Sequence, residues 1–183
     1  MTAPLEVPIP VSGIADVVAA ARSGSTEAFS SLYQRFCRSV HSILLSRLNP
    51  EEAQEATQEV FIVVHRRLQE LRDASAFGPW VHSIARNAAA SRIRTAMRRP
   101  REEALPDVAG PGARDESELR DRVLRHLQGL PEAYRETLAM RLIDGMTGPE
   151  IADATGLTAA SVRVNLHRGM ELLRPLLLRE GWP

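Results

Sequence analysis

From Arg99 to about Ser117 the chain carries Pro100, Pro106, Gly110, Pro111 and Gly112 and almost no large apolar side chain. Such a stretch reads as a linker. It divides 183 residues, a length that can bury one moderate core or two small ones, into two short halves. Fully extended it would span about 60 Å, enough for two small domains to occupy separate sites on one partner. On both sides of it apolar residues recur three and four apart, the period of an amphipathic helix. With aromatic residues at only 4 %, the core must come from Leu, Ile, Val and Ala, which suits packed helices better than aromatic-rich strands. The expectation is an all-α chain: a disordered tail over residues 1–13, a helical domain over 14–98, the linker over 99–117, and over 118–178 a second domain built on a helix-turn-helix.

In the first half the periodic runs pass through Ile14, Val17 and Val18, then from about Thr26 through Phe29, Leu32, Phe36, Val40 and Leu44 to Leu48. Asn49-Pro50 ends the second run, because a residue before proline is pushed out of the helical region. Glu51 to Leu71 reads as one long helix, Arg72 to Ala76 as a polar loop, and Phe77 to Met97 as a further helix. Beyond the linker, helical periodicity resumes from Leu119 to Leu130 and again from Ala133 to Leu142, with Pro131 between.

The formal net charge is zero, so a nucleic-acid partner has to be argued from local distribution. All 23 basic residues are arginine, and Arg86 to Arg101 contains six of them without one carboxylate. A second acid-free stretch, Ala154 to Met170, holds Arg163, His167 and Arg168. Cys37 is the single cysteine, which excludes an internal disulfide and argues against a thiolate zinc site. The five histidines show no metal-ligand spacing and no glycine-rich phosphate loop is present, so neither metal, cofactor nor enzymatic chemistry is expected. Met1 to Gly13 lacks the basic start and apolar run of a signal peptide. No stretch approaches the roughly 20 apolar residues of a membrane span, so the expected compartment is the cytoplasm.

Within the second half, Thr147 and Glu150 have the spacing of a capping box, Gly156 sits where a left-handed residue would stop a helix, and Thr158 can cap the next one. On that next helix Val162, Leu166, Met170 and Leu173 share one face, leaving Ser161, Val164, His167 and Arg168 outward with Arg163 on the flank. A helix-turn-helix of this kind can enter the major groove, where arginine bonds guanine edges bidentately. An ordinary helical hairpin with solvated charges would share the pattern. In the first half, Glu55, Gln58, Glu59 and Phe61 form either a solvated acidic face near a helix start or a docking surface with an apolar anchor, and spacing alone does not decide between them. Phe77, Trp80 and Ile84 fit a buried seam. Arg86, Asn87, Arg94 and Arg98 lie on an acid-free helix beside the polar loop, an arrangement suited to phosphate contact and capture of an unstacked base.

From about Asp16 to Leu178 the chain resembles the extracytoplasmic-function (ECF) group of bacterial sigma factors. The resemblance is carried in order by ARSGSTEAFSSLYQRF (Ala21–Phe36), EATQEVFIVVHRRL (Glu55–Leu68), FGPWVHSIARN (Phe77–Asn87) and the segment from LPEAYRETLAM to RPLL (Leu130–Leu177). It implies a non-enzymatic initiation factor that directs core RNA polymerase to promoters. Glu55, Gln58, Glu59 and Phe61 would bind the clamp helices of the largest polymerase subunit, with the flap as a further polymerase contact. Arg72 and Ser75 in the loop, with Arg86, Asn87, Arg94 and Arg98, would take the minus-ten element as opened DNA. Ser161, Arg163, Val164, His167 and Arg168 would read the minus-thirty-five element as duplex. An anti-sigma protein covering both domains is the regulatory partner such a factor often has, and no appended sensory domain is expected. Three departures stand out: Ser91 where an Asp commonly follows the IARN motif, Ser161 where a Thr usually precedes Val162, and Val164-Asn165 in place of polar and basic residues. Val164 is suited to a thymine methyl. The competing reading is a free-standing helix-turn-helix regulator that does not join polymerase; a protein-only adaptor is a third.

Overall fold

The computed structural model describes residues 13–98 and 122–179, and the expected linker and all but the last residue of the expected tail lie outside them. Every regular element among the described residues is helical. Helix α1 spans Ile14–Arg22. Gly24, at φ +94°, makes the left-handed turn that glycine tolerates best. It leads to Ser25, whose hydroxyl accepts from the Ala28 N–H at 3.1 Å and starts α2, Thr26–Leu45. Helix α3, Pro50–Arg67, opens on the Asn49 side-chain oxygen, which accepts from the Glu52 N–H at 2.9 Å. It begins at Pro50, one residue before the expected start, because proline's fixed φ suits the first helical position.

The long helix expected to reach Leu71 stops at Arg67 and tightens into a 3-10 turn at Leu68–Glu70. Both Leu68 and Leu71 are buried, and the tighter turn brings them inward while the Leu68 carbonyl accepts from Arg22 Nε at 3.1 Å. The polar loop contains a second 3-10 turn, Ala74–Ala76, capped by Asp73. Helix α4 spans Phe77–Arg98. After the linker come α5 (residues 122–128), α6 (Glu132–Leu142), α7 (Gly148–Thr155) and α8 (Ala159–Arg179).

Helix α2 runs through the centre, with α1, α3, α4, α6 and α7 packed around it. Its Leu32, Phe36, Val40, Ile43 and Leu44 meet Val60 and Val64 of α3 and Phe77, Val81 and Ala85 of α4, all buried. The Phe36 and Phe77 rings lie 5.0 Å apart. A smaller cluster of Leu127, Leu130, Leu138, Ala139 and Leu173 closes α5, α6 and α8 on one another. Gly169 makes that closure tight: a Cβ there would sit 2.8 Å from Leu138 Cδ1 and 3.1 Å from Tyr134 Cβ.

The two halves are not separate bodies in this structure. Met140, Met146, Ile151 and Ala154 of the second half join the core of the first. Gly78, near the start of α4, comes so close to α7 that a Cβ would lie 2.6 Å from the Ala154 carbonyl oxygen.

Candidate nucleic-acid interface

The second half builds the helix-turn-helix from local rules. Thr147 Oγ1 accepts from the Glu150 N–H at 3.4 Å, while the Glu150 carboxylate accepts from the Thr147 N–H at 2.6 Å. The Thr147 N–H, together with the Thr147 hydroxyl donating to the same carboxylate oxygen at 2.7 Å, holds the Glu150 carboxyl below its usual range. Gly156 at φ +73° ends α7, and Thr158 Oγ1 accepts from the Ser161 N–H at 3.1 Å to begin α8. Val162, Gly169 and Leu173 face inward with Leu166 and Met170 half-buried. Ser161, Arg163, Val164, His167 and Arg168 all stand on the exposed side, and Val164 is 46 % exposed. His167 Nε2 lies 3.6 Å from Glu171 Oε1, a carboxylate one residue beyond the acid-free stretch. Arg163 and Arg168 have no ion-pair partner among the described residues, so both guanidiniums are available to a polyanion.

In the first half, Asn87, Arg94 and Arg98 are exposed along α4, and Arg72 is exposed beside the loop. Ser75 is committed locally: its N–H and hydroxyl both donate to Asp73 Oδ1, at 2.9 and 2.6 Å, and these bonds lower the Asp73 carboxyl. Arg86 is engaged as well. Its Nε and Nη2 donate to the two carboxylate oxygens of Glu136 on α6, at 2.9 and 2.8 Å. Arg92 donates from Nη2 to Glu59 at 2.7 Å and lies 3.3 Å from Glu55 through Nη1, tying the acidic face of α3 to α4.

Glu55, Gln58 and Glu59 are exposed on α3, but Phe61 is only 5 % exposed, which corrects its expected place as an outward apolar anchor. Its ring packs edge-on against Tyr33, centroids 4.7 Å apart, because it follows Val60 on the stripe that faces α2. The apolar surface beside Gln58 is instead made by Tyr33, 40 % exposed, and Ile62, 51 % exposed. With Phe29, Gln58, Phe61, His65 and Arg66 they line an open groove between α2 and α3, so Phe61 contributes to its wall while staying largely covered. Ile62 was open to discovery in the sequence, since it falls off the apolar stripe; Tyr33 was not, because it keeps the helical spacing of the core.

Residues 32–99 match the family described as Sigma-70 region 2, and residues 120–173 match Sigma-70, region 4. The RNA polymerase sigma factor CarQ of Myxococcus xanthus is 32 % identical over 162 residues, covering 85 % of this chain and 92 % of that protein. The chain belongs to the sigma-70 family of RNA polymerase sigma factors, in its ECF group. As a sigma factor it directs core RNA polymerase to promoter DNA. The ECF RNA polymerase sigma-E factor of Escherichia coli is 28 % identical over 177 residues, with 86 % of this chain and 93 % of that protein covered. Among solved structures, CnrH in complex with the cytosolic domain of CnrY shares the fold, at a TM-score of 0.58 and 23 % identity, covering 89 % of this sigma factor and 96 % of that chain. No helix among the described residues is long and apolar enough to cross a membrane.

Proposed function

We propose a division of labour among three surfaces of this sigma factor. The groove of Tyr33, Phe61 and Ile62, with Gln58 in its lining and the exposed Glu55 and Glu59 elsewhere on α3, docks the clamp helices of the largest polymerase subunit. It offers what a protein interface uses, an apolar centre within a polar surround. The acid-free α4, with Asn87, Arg94, Arg98 and the Arg72–Ala76 turn beside it, takes the minus-ten element once its strands have separated. Arginines track the backbone, and Asn87 presents an amide able to bond the edge of an unstacked base.

Helix α8 reads the minus-thirty-five element as intact duplex through Arg163, Val164, His167 and Arg168. The observation that carries the reading is the exposed arginine face of α8, set by the capping box of α7 and the left-handed Gly156. The factor works without chemistry of its own, in the cytoplasm where polymerase and promoters meet. The modules over 14–98 and 118–178 move apart on the linker to reach their separate targets, and an anti-sigma protein covering both would hold them from polymerase. The test is purification of the chain with core polymerase and run-off transcription from promoters mapped by the transcripts that rise on overexpression. Stable co-elution with initiation at one sequence class is expected. Sequence-specific duplex binding by the free chain without polymerase association would instead support the free-standing regulator.

A further inference from the structure

The arginines of α4 do not share one side of the helix. Asn87, Arg94 and Arg98 fall at i, i+7 and i+11 and are exposed together, whereas Arg92 lies roughly 140° around the helix from Asn87, at about 100° per residue. There it meets α3. Its Nη2 lies 2.7 Å from Glu59 Oε1 and its Nη1 donates to Glu55 Oε2 at 3.3 Å, so one guanidinium bridges two carboxylates that stand one turn apart. The Arg92 side chain is 23 % exposed against 64 % for Glu55 and 61 % for Glu59: the cation is covered and the anions face outward. Glu59 and Ile62, three residues apart, are neighbours on the exposed side of α3, and Ile62 lines the groove with Tyr33 and Phe61.

We propose that Arg92 is a positioning residue for polymerase docking, which fixes the Glu55 and Glu59 carboxylates beside Ile62 for a basic side chain of the clamp helices. The inference rests on the reading of the α3 groove as the docking surface. Carboxylates at i and i+4 repel each other, and a free glutamate side chain loses rotamers when a partner immobilises it. A guanidinium held between the two offsets the repulsion and orders both side chains before the partner arrives. Each carboxylate keeps a second oxygen, Oε1 of Glu55 and Oε2 of Glu59, to accept from that partner. An exposed ion pair adds little to stability, so the bridge supplies orientation and not fold. Two carboxylates and one guanidinium leave one negative charge, and the surface still attracts a cation. Removing Arg92 raises that charge but frees both side chains. Charges this exposed are screened beyond roughly 8 Å at physiological salt, so the loss of order outweighs the gain in attraction.

The experiment titrates core RNA polymerase into the full chain carrying a fluorophore at its N-terminus, reading affinity by anisotropy and dissociation by a chase with unlabelled protein. Arg92→Gln is expected to weaken binding about three- to tenfold at physiological salt, through faster dissociation, with the thermal midpoint near wild type. In a chain that already carries Glu55→Gln and Glu59→Gln, Arg92→Gln is expected to change affinity no further, because the groups it orients are gone. Equal losses in both backgrounds would make Arg92 merely structural and overturn the proposal. Tighter binding by Arg92→Gln would overturn it as well, by showing that the cation competes with the partner for the carboxylates. Binding of a fluorescent single-stranded DNA by the free chain is expected to be unchanged in Arg92→Gln; a loss as large as that from Arg94→Ala would assign Arg92 to DNA instead. Ile62→Arg keeps the two readings apart. If it binds polymerase as tightly as wild type, the docking surface itself is wrong and the bridge falls with it, whereas a weakened Ile62→Arg beside an unchanged Arg92→Gln brings down the bridge alone.

Discussion

His82 is 1 % exposed in the second turn of α4, one turn before Arg86. Its Nε2 lies 2.8 Å from Ser39 Oγ on α2, and its Nδ1 has no partner among the described residues. Burial, with the nearby Arg86 charge adding to it, lowers its pKa from 6.5 to about 3. The folded value is therefore depressed. The unfolded chain takes up the proton first as pH falls, so this contribution is fully present above about pH 6.5 and is lost progressively down to about pH 3. Each unit of pH inside that window costs about 1.4 kcal/mol, and lowering pH from 7 to 5 removes about 2 kcal/mol. His82→Met fills a similar volume without titrating, and Ser39 keeps its bond to the Phe36 carbonyl at 3.0 Å. Urea unfolding at pH 7 and pH 5 measures the difference. Wild type is expected to lose about 2 kcal/mol more than His82→Met over that range, because the other four histidines are common to both chains. Equal losses would refute the burial argument.

Gly169→Ala places a methyl against Leu138 at the crossing of α6 and α8 and is expected to cost about 1–3 kcal/mol of stability, read as a lower thermal midpoint. Thr147→Ala removes one side of the capping box and is expected to cost about 1 kcal/mol, seen in chemical denaturation. Ile62→Arg leaves the core untouched and is expected to weaken association with core polymerase in a pull-down titration without changing the fold. Phe61→Ala, by contrast, is expected to lower stability first. Arg168→Ala, if its guanidinium bonds a guanine bidentately, is expected to lose about 1–3 kcal/mol of promoter discrimination. That corresponds to roughly 5- to 150-fold in transcription from the cognate site at limiting polymerase, with polymerase affinity unchanged.

The helical class and most helix ends were legible in the chain because they rest on local rules. Thr147 with Glu150, Gly156 and Thr158 each act within a turn of their own position, whereas Asn49-Pro50, read as the stop of α2, instead starts α3 after α2 has ended at Leu45. The outward face of α8 was legible for the same reason, since Val162 and Leu173 define its inward stripe. What escaped was set by contacts distant in sequence. Phe61 and Tyr33 both keep helical apolar spacing, and only the angle at which α2 crosses α3 decides which ring is covered. Arg86 belonged to an acid-free run, and its carboxylate partner lies 50 residues away on α6, in a segment whose place against α4 no periodicity encodes. The 3-10 ending of α3 likewise reflects the need to bury both Leu68 and Leu71.

The central claim is that one half of the molecule meets DNA as separated strands and the other meets it as duplex. Photo-crosslinking amino acids at Asn87 and at Val164, used one at a time in complexes with polymerase and a mapped promoter, test this most directly. The Asn87 position is expected to label a single strand near minus ten, only under conditions where permanganate detects melting, while the Val164 position labels duplex near minus thirty-five before and after melting. Labelling of the same DNA segment from both positions, or of intact duplex from Asn87 before melting, would contradict the account.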